Sequence, residues 1–180
     1  MKLLLHICCA PCIAAPYREL KQRGADVTGF FYNPNIHPLL EFRKRFRAVE
    51  VFHEREKFPV IYRREYGLYD FLRHIGPDTD ERCGACCKMR VDAAARAARD
   101  NGFDAFTTSL LFSRHQRHDE IKAIAQETAE REGVEFHYLD LRHLADESRA
   151  IAKKMSLYRQ QYCGCIFSEY DRYKEETKAE

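Results

Sequence analysis

Apolar and polar positions along this chain switch between two periods, and the switches mark its elements. Lys2 to His6, with three consecutive leucines at its centre, predicts a short buried strand. A helix follows from about Pro16 to Arg23, with Gly24 placed to close it. The intervening Cys8-Cys9-Ala10-Pro11-Cys12 is therefore a strand-to-helix turn. Val27 to Tyr32 predicts a second strand, stopped by Asn33-Pro34-Asn35, and Leu39, Phe42, Phe46, Val49 and His53 mark one stripe of an amphipathic helix.

Val60 to Tyr62 is a short third strand and Leu68 to Ile75 a helix, followed by a Gly76-Pro77-Asp78 turn signal and a second group of cysteines. Cys87 to Asp100, rich in alanine and arginine, is helical, with Asn101-Gly102 as its stop. Ala105 to Leu110 predicts a strand, Gln116 to Glu132 a helix with Ile121, Ile124 and Thr128 on one face, and Glu135 to Leu139 another strand. Strands separated by helices predict one α/β domain over residues 1–180, with a mostly parallel, doubly wound sheet. Ligands of such sheets gather beyond the carboxyl ends of the strands. The first cysteine group, Asn33, and Ser113 to His115 should share that rim.

Composition narrows the function classes. The 180 residues carry 30 Lys and Arg against 28 Asp and Glu, a formal charge of +2, so no global field marks a nonspecific nucleic-acid binder and any RNA contact is local. The apolar run at the start ends at His6, too short for a signal peptide, and no stretch approaches a membrane span. A cytosolic protein is expected.

All eight cysteines fall into three tight groups: Cys8, Cys9 and Cys12; Cys83, Cys86 and Cys87; Cys163 and Cys165. In a cytosolic chain thiols stay reduced, so metal ligation or redox chemistry leads. Cys9-Ala-Pro-Cys12 and Cys83-Gly-Ala-Cys86 each let two thiolates reach one metal, and the spacing suits zinc and iron–sulfur alike. A structural zinc needs only four ligands, so the surplus favours redox chemistry. The first pair, at a helix N-terminus, also has the look of a dithiol–disulfide enzyme. Cys87 reads as a buried bystander. Cys163-Gly164-Cys165 would close a strained, labile disulfide or, reduced, bind a metal.

Four segments together carry a resemblance: Leu5-His6-Ile7-Cys8-Cys9-Ala10-Pro11-Cys12, Phe31-Tyr32-Asn33-Pro34-Asn35-Ile36, Cys83-Gly84-Ala85-Cys86, and Tyr158-Arg159-Gln160-Gln161-Tyr162-Cys163-Gly164-Cys165. In this order, over nearly the whole chain, they resemble the QueH family of non-cobalamin epoxyqueuosine reductases. The resemblance implies a Rossmann-like domain holding a [4Fe-4S] cluster on Cys8, Cys9, Cys83 and Cys86, and acting on tRNA that carries epoxyqueuosine at the anticodon. It leaves Cys12, Cys163 and Cys165 as catalytic candidates, for a second, mononuclear iron or a redox-active disulfide. Some relatives carry aspartate in the place of Cys12, which points to Cys12 as the ligand of that iron. Many carry tyrosine where Cys87 stands.

Removing an epoxide oxygen takes two electrons from an external donor and two protons. His6, Tyr32, His115 and Tyr162 are proton-donor candidates by residue type. Arg43, Lys44, Arg45 and Arg47 form a basic run, Arg63 and Arg64 a second, and Arg114 to His118 a third. Asn33, Arg43, Arg114 and Arg159 are the expected substrate contacts, by their places near strand ends or beside the last cysteine pair. Two rivals remain on the residues alone: a zinc-stabilised RNA-binding module, colourless and indifferent to oxygen, and a metal-free dithiol–disulfide oxidoreductase.

Overall fold

The structure, a computed structural model, describes residues 1–76, 79–114 and 116–175, with Thr79 and Asp80 described by their backbone alone. The expected turn residues Pro77 and Asp78, and His115, lie outside the described residues. Five strands, β1 (Lys2–Ile7), β2 (Asp26–Phe31), β3 (Val60–Tyr62), β4 (Ala105–Thr108) and β5 (Glu135–Phe136), pair in parallel in the order β3-β2-β1-β4-β5. Helices α1 (Ala14–Gln22), α2 (Leu39–Glu56), α3 (Leu68–His74), α4 (Thr79–Asp100), α5 (His118–Glu132), α6 (Ala145–Lys154) and α7 (Ile166–Tyr173) connect or follow them. This is the expected α/β, Rossmann-like arrangement.

The alternation in Lys2–Ile7 decides which helices lie on which face. Leu3, Leu5 and Ile7 point into one core with residues of α1, α2 and α6, and Leu4 points into the other with Val91, Ala94 and Ala125 of α4 and α5. Gly29 on β2 is glycine because a Cβ would lie 2.5 Å from Ile7 Cδ1 and 2.8 Å from Phe58 Cζ. Helix α1 ends as its sequence announces: Gly24 takes φ +83° while Ala25 and Gly24 donate to the carbonyls of Leu20 and Lys21.

The order of strands reverses between β1 and β4, so their carboxyl ends flank the crevice where doubly wound sheets bind ligands. Several elements differ from expectation. Helix α4 begins at Thr79, so the second cysteine group lies on its first turns and not in a preceding loop; glycine and cysteine are weak helix formers, and packing on α5 overrides them. Strand β4 ends at Thr108, whose side chain accepts from Leu110 N at 3.2 Å and turns the chain into a 3₁₀ segment, Ser109–Phe112. Strand β5 covers only two of its five expected residues, and α6 and α7 had no counterpart in the sequence reading.

Candidate active site

The first cysteine group leaves β1 directly. Cys9 is extended, Pro11 sits in the 3₁₀ turn Ala10–Cys12, and α1 begins two residues later. The Sγ atoms of Cys8, Cys9 and Cys12 all lie within 4.8 Å of one another, with Cys8 and Cys9 3.8 Å apart. The turn is held from three sides. Ser109 Oγ accepts from Cys8 N at 2.9 Å. The Asn33 amide, buried behind the turn, donates to Ile7 O at 2.8 Å. Ser148 on α6 donates to Pro11 O at 2.7 Å and accepts from Ala15 N at 3.0 Å.

Three thiols this close share their charge unequally. Hydrogen bonds from the Cys12 and Cys9 thiols, aided by Ser109, hold Cys8 well below the ordinary thiol value. Cys12 is pushed well up by those same bonds to Cys8, and Cys9 by burial. Cys8 is thus the most acidic thiol of the group. Gln160 Nε2 donates to Cys9 Sγ at 2.9 Å and reaches Cys12 Sγ at 3.7 Å, closing the group from the C-terminal segment.

Beside the thiols opens a cavity of about 390 Å³, lined by Cys8, Cys12, Cys163, Gln116 and Gln160 and by two arginines, Arg45 and Arg90. Both arginines are buried. Arg45 pairs with Glu41 one helical turn earlier (2.7 Å) and donates to the carbonyls of Cys163 (2.8 Å) and Tyr162 (3.0 Å). Arg90 on α4 donates to Cys86 O at 3.0 Å and lies 3.6 Å from Cys87 Sγ. Burial opposes the charge on Arg90, and the neighbouring sulfurs, Cys86 and Cys87 foremost, would outweigh it as thiolates and hold the guanidinium above its ordinary value. The cavity is therefore electropositive around sulfur.

Cys163-Gly164-Cys165 is threaded through this frame. Gly164 has φ +153°, and a Cβ there would sit 2.9 Å from Asn35 Nδ2 and 3.4 Å from Arg45 Nη1. Its carbonyl accepts from His37 N at 2.7 Å. Cys163 is exposed and takes a hydrogen bond from Gln116 at 3.3 Å. Cys165 caps α7, accepting from Ser168 N, and packs with Cys86 against Phe71 and Ile75. All eight cysteines are free thiols.

Cys83 and Cys86 stand three residues apart on α4, Cys83 exposed and Cys86 buried, and neither joins the 4.8 Å group of Cys8, Cys9 and Cys12. Burial pushes Cys86 up to about 12. Cys87 packs with Leu110, Leu111 and Ile121, as a buried bystander would, and Cys8 leans on the same cluster.

The expected substrate contacts do not line the cavity. Asn33 is 2% exposed and braces the cysteine turn. Arg43 and Arg159 are exposed outside it, and Arg114 lies 4.0 Å from Asp146 at the surface. Of the basic run on α2 it is Arg45 that turns inward, because its position follows the buried stripe of Phe42, Val49 and Phe52. An arginine falling on an apolar stripe was the available signal for Arg45, and the same signal marks Arg90 beside Val91 and Ala94. Gln116, Gln160 and Ser148 carried no comparable mark.

The candidate proton donors are also sorted. His6 is fully buried, with its ring nitrogens on Thr108 Oγ1 (2.9 Å) and Tyr32 O (3.1 Å); burial, with the Arg90 charge, pushes it down to about 4, so it is a neutral brace between strands. Tyr162 lines the cavity with its hydroxyl committed to His37 O at 2.6 Å. Tyr32 does not line it.

Comparison with known proteins bears on the whole chain. The family model described as epoxyqueuosine reductase QueH matches residues 3–171. A protein of Dehalococcoides mccartyi named epoxyqueuosine reductase QueH is 39% identical, the match covering 96% of this chain and 94% of that one. Proteins of the same name from Histophilus somni and Thermotoga maritima are 36% and 32% identical, covering 96% and 94% of this chain and 74% and 91% of theirs. With Cys8, Cys12 and Cys163 lining one cavity beside two buried arginines and the match running through every element that carries a cysteine, the chain belongs to the QueH family of epoxyqueuosine reductases.

Proposed function

We propose that this protein is a cytoplasmic oxidoreductase that converts epoxyqueuosine in tRNA to queuosine. Both C–O bonds of the epoxide break, two electrons and two protons enter, and an alkene and water leave. The observation that carries the reading is the group of three thiols within 4.8 Å, opening on a cavity that Cys163 also lines and two buried guanidiniums frame.

The donor set fits a cysteine-held iron–sulfur centre. Free thiols converge at the switch point of the sheet, one is already biased to thiolate, and the cations beside them suit an anionic group. Cys8, Cys9, Cys83 and Cys86 are the proposed ligands of a [4Fe-4S] cluster, and Cys12 that of a neighbouring iron. When bound, such a centre supplies electrons singly and an electrophile for the epoxide oxygen.

The chain's own residues supply the rest. Arg45 holds the 162–163 carbonyls so that Cys163 faces the cavity, and Gly164 lets the segment pass between Asn35 and Arg45. Gln160 orients Cys9 and Cys12. The amide N–H groups of Gln116 and Gln160 and the guanidiniums of Arg45 and Arg90 are donors for the oxygen that gains charge as the ring opens.

The test is anaerobic purification, quantification of iron and sulfide, and turnover on tRNA bearing epoxyqueuosine. About four sulfides with four or more irons per chain and loss of the epoxide support the reading. Cys165→Ser is expected to abolish turnover and keep the iron and sulfide; loss of the cluster in that variant overturns the ligand assignment. A colourless zinc protein returns the chain to the RNA-binding rival, and a metal-free one to the dithiol rival.

A further inference from the structure

Helix α2 carries a ridge that the reaction centre does not use. Arg43 and Arg47, four residues apart and therefore on one face, both line two grooves, one on either side. The first, of about 490 Å³, has an apolar floor of Leu40, Val51 and Leu157 and is walled by Lys44 and Tyr158. The second, of about 420 Å³, has Leu39, Phe46 and Tyr66, with Arg64 above the Phe46 ring at 5.2 Å. Leu40 is 65% exposed. Lys44 sits 5.6 Å from the centre of the Tyr158 ring; Arg47 pairs with Glu50 of the second groove at 3.1 Å, while neither Arg43 nor Lys44 has an acidic partner among the described residues.

Cations along a ridge with aromatic and aliphatic floors on both flanks match one polymer chemistry. A single RNA strand presents a line of phosphates and, to either side, flat bases that stack on such floors. An acidic protein segment would meet the cations and leave the floors unfilled. The ridge is also joined to the cavity. Tyr158 walls the first groove, and two residues later Gln160 touches Cys9 and Cys12. Tyr158 Oη donates to Glu41 at 2.5 Å, and Glu41 pairs with the Arg45 that holds Cys163.

We propose that the Arg43–Arg47 ridge is the RNA-docking site of this protein, with phosphates on Arg43, Lys44 and Arg47 and unstacked bases in the flanking grooves, next to the mouth of the cysteine cavity. The proposal rests on the reading of the substrate as tRNA.

The experiment is binding of an unmodified tRNA transcript across a salt series, for the wild type, Arg43→Gln/Arg47→Gln, and a charge-matched control, Arg96→Gln/Arg99→Gln. The control lies on α4, across the sheet from α2. The ridge variant should weaken binding about tenfold or more near 0.1 M salt and lower the slope of log affinity against log salt by about 1.4–1.8, two phosphate contacts, with the control unchanged. Should the ridge variant fold poorly by thermal melt, slowed amide exchange over residues 39–51 and 156–158 of the wild type on adding the transcript is the expected sign, and no slowing there overturns the site. Wild-type binding and turnover with an unchanged Kd and slope in the ridge variant sinks the ridge alone, including the case where only turnover with a protein electron donor falls. A wild type that neither binds tRNA nor reduces its epoxide sinks the substrate reading, and the ridge with it.

Discussion

Arg45 and Glu41 are 2% and 6% exposed, an ion pair almost wholly out of water. Such pairs add little over apolar packing, yet removing one partner strands the other's charge. Here the stranded group would be Glu41, left with Tyr158, while the carbonyls of Tyr162 and Cys163 lose their donor. Arg45→Met should therefore cost about 3–5 kcal/mol, a fall in Tm of roughly 6–20 °C for a chain of this size. Adding Glu41→Leu should return part of that loss, because the orphaned carboxylate goes with it. Thermal melts of the two single variants and the double complete the cycle. A fall of only a degree or so in Arg45→Met would mean that Gly164, wedged between Asn35 and Arg45, holds the last cysteine pair by its backbone alone.

Between elements, the hydrogen bonds that fix the site come from helices placed far along the chain. Ser148 on α6 reaches back 137 residues to Pro11, so the shape of the first cysteine turn depends on a helix that has no motif of its own. On the other face Asp92 ties α4 to α5, accepting from Thr128 (2.8 Å) and Arg131 (2.6 Å), and from Lys88 one turn earlier on α4 (2.7 Å). Burial alone would raise the Asp92 carboxyl; those three donors overcome it and hold it below its ordinary value of 3.8. A carboxyl depressed in the folded state stabilises the fold above its unfolded value, and the contribution fades as pH falls through the lower folded one. Asp92→Asn should melt below the wild type at neutral pH, and the gap should close as pH falls below the ordinary carboxyl value of 3.8 and through the lower folded one. Melting both proteins from about pH 7 to pH 2.5 reads this directly, and a gap that persists in acid would show that packing, not charge, is what the substitution disturbs.

For the molecule as a whole, the sequence made legible what depends on local order. All five strands, the last shortened to two residues, the switch-point location of Cys8 and the αL glycine at Gly24 follow from periodicity and turn residues. Elements set by tertiary packing did not show: the first turns of α4, where glycine and cysteine are weak helix formers, and α6 and α7, which are only ten and eight residues long. The same divide runs through the site, where the cysteines announced themselves and the buried arginines looked like surface charge. Arg90 is the sharper case of the two arginines. It is 3% exposed, and its partners are a carbonyl and a sulfur, with no carboxylate pairing it among the described residues. A buried cation without a carboxylate costs stability unless another anion compensates it. On the proposed iron–sulfur reading, Arg90→Met should therefore lower Tm by little or even raise it in metal-free protein. After anaerobic reconstitution with iron and sulfide the order should reverse, the wild type gaining Tm and the variant gaining less while retaining less iron and sulfide. If Arg90→Met instead weakens the stripped protein as severely as Arg45→Met does, the guanidinium serves the fold, and the electropositive lining of the cavity is a by-product of helix packing.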